Sequence, residues 1–139
     1  MQGKVFSINI SKNKGVSKNP VKKAILIENM GIENDAHLGF EERQVSLLSK
    51  ELIQEQNNNL KPGDFAENIT TSGIDLSKIQ IADRIKINKT ILEVTGIGKT
   101  CHDKCNIYKK IGNCVMPKQG IFAKVLKGGL IKIGDRIAI

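Results

Sequence analysis

The residues of this chain best suited to chemistry are gathered in one late stretch, Ile97–Phe122, IGKTCHDKCNIYKKIGNCVMPKQGIF. It holds all three cysteines (Cys101, Cys105 and Cys114), together with His102 and the only tyrosine. Lys99, Lys104, Lys109, Lys110 and Lys118 stand among them. A cysteine acts as nucleophile, sulfur carrier or soft-metal ligand through its thiolate, and nearby cations lower the thiol pKa from about 8.5 towards neutrality. Thiolates suit copper(I), zinc and iron–sulfur centres. Molybdenum bound through sulfur is an extension of the same chemistry.

Spacing narrows these options. Structural zinc favours a Cys-x2-Cys pair facing a second similar knuckle. Here three residues separate Cys101 from Cys105, and eight more precede Cys114. A Cys3His site would require the adjacent Cys101 and His102 to aim at one metal, an unfavourable geometry. A thioredoxin-like pair is weaker still, because both the Cys-x2-Cys spacing and a βαβ context are missing. Each thiol also has a plainer reading as a small buried hydrophobe. That reading suits Cys101, which follows a strand pattern, better than Cys114, which sits in the turn-like Gly112-Asn-Cys-Val-Met-Pro117.

The remaining chain reads as the scaffold for this segment. Its 139 residues suffice for one domain, 1–139, with a core of its own. No apolar run approaches the roughly 18 residues of a membrane span, and the N-terminus lacks the pattern of a signal peptide. An odd number of cysteines without such a signal argues against a disulfide framework and for reduced thiols, with the cytoplasm as the expected location. The formal charge of +8 invites an anionic partner. The lysines are scattered, however, so a solvated basic surface or a positively charged mouth for a small anion accounts for them. An RNA-binding β-barrel is the weaker alternative, since one Tyr, four Phe and no Trp offer few stacking platforms.

Periodicity predicts a mainly β fold. Residues 4–10 alternate, with Phe6, Ile8 and Ile10 expected on the apolar face and Val5, Ser7 and Asn9 opposite. Strand character returns at Val21–Ile27, Arg43–Leu48, Ile91–Ile97 and Ile121–Leu126. Ser49 is placed to cap one short helix that ends at Asn57–Phe65. Ile79–Ile87 (IQIADRIKI) and Ile131–Ile139 (IKIGDRIAI) are nearly the same nine residues, each read as strand, Ala/Gly-Asp turn, strand. Lys61-Pro-Gly-Asp-Phe65 offers a third such turn. Two copies are too few for a solenoid or propeller. They fit matching corners of a closed β-barrel, which removes the edges that so many Ile-rich strands would expose.

These residues, in this order, resemble the MOSC domain, the family named after the C-terminal part of molybdenum-cofactor sulfurases, in its small stand-alone bacterial form. The resemblance runs from Gly3-Lys-Val5 and Ser7–Ile10 through Gly31–His37, Arg43–Leu48 and Gly63–Ile69. It continues through Ile97–His102, Gly112–Pro117, Gly120–Phe122 and the glycines from Gly128 to Gly134-Asp135. It departs at Asn34, where relatives usually carry glycine; Asn tolerates the left-handed conformation, so the turn is expected to survive. It departs again at Phe40-Glu41-Glu42, where relatives often place an aromatic residue and a histidine before the arginine.

The resemblance implies a MOSC-type closed β-barrel, with one or two short helices, that handles the molybdenum cofactor or sulfur bound for a metal centre. Cys114 looks like the family cysteine that carries a persulfide or ligates molybdenum, and Cys105 or Cys101 like its upstream cysteine. The cofactor is an anionic pterin dithiolene with a terminal phosphate. Arg43 would grip that phosphate with a bidentate fork, or pair with a carboxylate instead. Asn68 would read the pterin edge or bridge loop backbone. His37 would bond within its Gly-rich loop or face the pocket. Lys99, His102 and Lys118 would attract the anion and stabilise thiolates. Asp35 and Glu67 would fix loops and Arg43 rather than act as acid or base.

Three functions follow as expectations. The first is a molybdenum-cofactor-binding or sulfur-carrier protein, with a cysteine desulfurase as donor and a molybdoenzyme as acceptor. Pyridoxal phosphate enters only by association with the family, because nothing here resembles the large desulfurase domain. The second is a molybdenum-dependent reductase of N-hydroxylated compounds, which needs a separate electron donor because the chain has no flavin, haem or iron–sulfur motif. The third is the RNA-binding barrel.

Overall fold

The structure is a computed structural model that describes residues 1–13, 16–56, 59–98 and 120–139. Among these residues, eleven strands and one α-helix follow in chain order: β1 (Gln2–Ile10), β2 (Asn19–Val21), β3 (Lys23–Ile27), β4 (Gly31–Ile32), β5 (Val45–Ser49), α1 (Lys50–Gln56), β6 (Ile69–Ser72), β7 (Arg84–Ile87), β8 (Thr90–Ile97), β9 (Ile121–Lys127), β10 (Gly129–Lys132) and β11 (Arg136–Ala138). A 3-10 turn, Leu76–Lys78, precedes β7.

Seven strands close a barrel in the order β11-β7-β8-β9-β5-β6-β1, and β1 pairs back onto β11 through Gln2↔Ala138 and Lys4↔Arg136. All neighbours are antiparallel except β5 and β6, which run parallel. β2 extends the sheet beside β1, while β10, β3 and β4 form a smaller sheet. The expected closed, mainly β barrel is therefore the one observed, with one short α-helix among the described residues.

The barrel is filled by aliphatic side chains such as Val5, Ile8, Leu47, Ile85, Leu92 and Ile137, each at most 1% exposed. A second apolar cluster lies outside the wall, where Leu48 and Phe122 meet Ile53 of α1 and Phe65. Every residue of β5 is buried because its two faces serve these two cores. Burial of a Leu or Phe side chain contributes about 1.5–3 kcal/mol, so α1 is held chiefly by this packing rather than by its seven residues alone. Ser49 caps it, accepting the Leu52 N–H at 3.2 Å.

The near-repeats form two equivalent corners, though only their second halves match as strands. Ala82 and Gly134 donate their N–H groups to the carbonyls of Val94 and Val5, and those two residues donate back to the carbonyls of Asp83 and Asp135. Each Asp side chain accepts an N–H three residues earlier, from Gln80 at 2.9 Å and from Lys132 at 2.8 Å. Asp64 does the same to Lys61 at 2.8 Å, completing the third turn. The strands that leave the two corners, β7 and β11, pair with each other. Their first halves differ: Ile131 belongs to β10 and pairs with Ala24, whereas Ile79 simply ends the 3-10 turn.

The expected faces of β1 need correction. Val5 pairs with Thr71 and Ser7 with Thr70, so Phe6 is an extra residue in a bulge. Phe6 is 41% exposed, with the Lys50 ammonium 4.7 Å from its ring centroid. Ile8 enters the core and Ile10 packs against it as expected, but Val5 takes the place foreseen for Phe6, because the bulge shifts the alternation by one residue.

Candidate functional site

β8 and β9 are the strands that lead into and out of the cysteine segment. Ile97 pairs with Ile121, Gly96 with Phe122, and the Gly98 N–H donates to the Gly120 carbonyl at 2.6 Å. The two ends of the connection 99–119 are thereby fixed side by side at one end of the barrel. Cys101, Cys105, Cys114, Lys99, His102 and Lys118 lie outside the described residues. Among the described residues, no cluster of His, Cys, Asp and Glu could hold a metal ion.

Arg43 sits just before β5 and is exposed. Its neighbours hold it from both sides. The Thr95 hydroxyl of β8 donates to the Glu42 carbonyl. Gln44 is buried, donates to the Asn29 carbonyl at 3.0 Å and accepts the Val125 N–H at 2.9 Å. The Arg43 guanidinium carbon lies 5.3 Å from the centroid of Phe122, within cation–π range. Phe122 is two residues past Gly120, so the cation is held near the return of the cysteine segment. Among the described residues Arg43 forms no ion pair.

Asn68 is fully built into the wall. Its Oδ1 accepts from the Ser46 N–H at 3.0 Å and from the Ser46 hydroxyl at 3.2 Å, and its Nδ2 donates to the Asn9 carbonyl at 3.1 Å. It therefore stitches β5 to β1 through the segment between them. Beside it, Glu67 is buried, and its Oε2 accepts the Gly63 N–H at 3.0 Å and the Thr70 hydroxyl at 2.8 Å. Its Oε1 has no hydrogen-bond partner among the described residues. Burial pushes this carboxyl up to about 7, against the opposing pull of the Gly63 and Thr70 donors. Gly63 is required where it stands: at φ +91° a Cβ would lie 2.2 Å from the Lys18 carbonyl oxygen.

His37 occupies the Gly-rich loop after β4. Its ring packs edge-on against Phe40, with centroids 5.3 Å apart, and its Nδ1 is 3.5 Å from Asp35 Oδ2. The Nδ1 makes no hydrogen bond among the described residues. Asp35 also accepts the His37 and Ser11 N–H groups and pairs with the buried Lys18 at 2.8 Å. Desolvation alone would raise the Asp35 carboxyl, but His37 and Lys18 together hold it well below the usual carboxylate range. Asp35 and Glu67 thus fix loops, and among the described residues neither contacts Arg43. Asn34 takes φ 72°, the left-handed geometry expected of it. Sequence reading missed Lys18, which stands in the Ser/Asn-rich connection between β1 and β2. No local signal marks it, because its partner is 17 residues away.

No helix among the described residues is long and apolar enough to cross a membrane. Similar solved structures include the YuaD protein from Bacillus subtilis (TM-score 0.81, 21% identity, covering 99% of this chain and 94% of that one). YiiM from Geobacillus stearothermophilus follows at TM-score 0.73 and 20% identity, covering 98% of this chain and 74% of that one. YiiM from Escherichia coli has TM-score 0.71 and 16% identity, over 99% and 68%. At these identities they establish the fold. Comparison with curated proteins returns no sequence match. The MOSC domain model matches residues 31–138, most of the barrel together with the whole cysteine segment, and the chain therefore belongs to the MOSC domain family.

Proposed function

We propose that this protein binds the molybdenum cofactor and carries sulfur on Cys114 as a persulfide, or ligates molybdenum through that thiolate. The observation that supports this reading is the position of Arg43. It is an exposed guanidinium, held between two anchored neighbours and over Phe122, beside the strand ends that bound the cysteine segment. A cation so placed suits the terminal phosphate of the cofactor, and the thiols suit its metal. When bound, the cofactor would supply a molybdenum centre able to take up sulfur. Asn68 and Glu67 would act at a distance, by fixing the wall from which β5 and Arg43 project.

The carrier step balances without an oxidant. The Cys114 thiolate attacks the outer sulfur of a donor persulfide, R–S–SH. One S–S bond forms, one breaks, and the donor leaves as its thiolate R–S⁻. A cysteine desulfurase would be such a donor and a molybdoenzyme the acceptor, both in the cytoplasm.

The test measures molybdenum and sulfane sulfur per chain after anaerobic incubation with released cofactor, or with a persulfide donor, followed by gel filtration. Wild type should retain one or both, and Cys114→Ala should lose them. Equal retention by the variant would remove Cys114 from the mechanism, and no retention by either would overturn the reading.

A further inference from the structure

A cavity of about 550 Å³ opens between α1, the turn from Gly73 to Ile79, and the β8–β9 strand ends. Its floor is aliphatic: the exposed Ile97 and the half-buried Leu52 line it above the core residues Ile74, Leu76, Ile79 and Ile121. Its rim is acidic. Glu51, Glu55 and Asp75 line it, and none of its described lining residues is Lys, Arg or His. On a chain with a net charge of +8 this is an anomaly of sign.

Two of these carboxylates are held in place by backbone. Glu51 Oε1 accepts the Gly73 N–H at 2.8 Å, tying α1 to the turn across the cavity mouth. Asp75 accepts from the Ser77 N–H and hydroxyl, which keep it ionised below its ordinary range. Lys78 is on the same turn but does not line the cavity. None of Arg43, His37 and Asn68 does so either.

We infer that this cavity is a binding site for an amphipathic organic cation, an amine whose apolar body lies on the isoleucine floor and whose ammonium meets the Glu51, Glu55 and Asp75 rim. A metal ion would leave the aliphatic floor in contact with nothing, and an anion would meet three carboxylates. A volume of this size admits a ligand with one aromatic ring and a short chain. The site goes beyond the cofactor reading and needs no bound cofactor.

The test is a titration of the full chain, without cofactor, with 4-phenylbutylamine and with the uncharged 4-phenylbutanol, followed by amide NMR shifts. The amine should give saturable shifts at Gly73–Ser77 and bind more tightly than the alcohol. The double variant Glu51→Gln/Glu55→Gln retains an acceptor for Gly73. It should weaken the amine about three- to fivefold, the range expected when exposed ion pairs are lost, and leave the alcohol unchanged. Absence of saturable shifts, equal binding of amine and alcohol, or an unchanged amine affinity in the double variant would each overturn the site. Cys114→Ala should bind the amine as wild type does, so failure of the cofactor reading and failure of this one are read separately.

Discussion

Lys18 Nζ lies 2.8 Å from Asp35 Oδ1, and the two side chains are 1% and 0% exposed. Ser11 completes the arrangement, its hydroxyl 3.1 Å from the ammonium and its N–H donating to the carboxylate. The pair joins the β1–β2 connection to the His37 loop, and the Lys18 N–H extends the link to Gly63. Removing one partner leaves a buried charge uncompensated, which costs about 3–5 kcal/mol. Lys18→Met should therefore lower the unfolding free energy in urea by about that amount. Replacing both charges, Lys18→Met with Asp35→Leu, should recover a large part of the loss. A single variant within 1 kcal/mol of wild type would contradict the buried geometry.

Glu67 gives a pH dependence opposite to that of an ordinary carboxylate. Its folded pKa is raised to about 7 from 4.5, so between these values the folded state holds a proton that the unfolded chain has released. Unfolding free energy must then fall as pH rises from about 4.5 to about 7. Asp35 has the other sign: its depressed folded pKa contributes stability above its ordinary value of 3.8 that is lost as pH drops below it. Denaturant titrations should find greatest stability near pH 4–5. Glu67→Gln keeps an acceptor for Gly63 and Thr70 and should abolish the decline towards pH 7. A wild-type profile flat from pH 4.5 to 7 would refute the assignment.

The two barrel corners differ in one residue that physics singles out. Ala82 has φ 75° where the equivalent Gly134 has φ 91°. The left-handed conformation costs a residue with a Cβ about 1–2 kcal/mol and costs glycine little. Ala82→Gly should raise stability by up to about 1 kcal/mol, after the larger backbone entropy of glycine is subtracted. Gly134→Ala, with no heavy atom within 4 Å of the added Cβ, should lower it by a similar amount through φ alone. Thermal melts of the two variants that shifted in the same direction would break the equivalence of the corners.

These corners also show what the sequence made legible. Asp64, Asp83 and Asp135 each follow a small residue, and each closes the same turn, because the instruction is local and lies within four residues. The Ser49 cap was legible for the same reason. Phe6 was misplaced because strict alternation assumes an unbulged strand, and the bulge arises from register with β6, about 65 residues away in the chain. Lys18 escaped notice because its burial depends on Asp35 and Gly63, which only the closed barrel brings near. Residue type and family pattern single out Cys114, which lies outside the described residues, whereas the support of Arg43 by Gln44, Thr95 and Phe122 required the fold.

That support leads to the last prediction. Arg43 is exposed and its only described side-chain contact of note is the cation–π approach to Phe122, so Arg43→Gln should change stability by no more than about 1 kcal/mol. Hydrogen bonds to charged groups contribute about 1.5–3 kcal/mol. If the guanidinium grips the cofactor phosphate, the same substitution should weaken cofactor retention by about ten- to a hundredfold. Arg43→Lys should fall between, since lysine keeps the charge and loses the bidentate fork. The measurement is cofactor affinity by fluorescence of the released pterin after equilibrium dialysis, with urea unfolding as the control. Unchanged affinity in Arg43→Gln at unchanged stability would place the phosphate elsewhere. A matched loss of both would mark Arg43 as a structural residue. Only the split between the two readouts assigns it to binding.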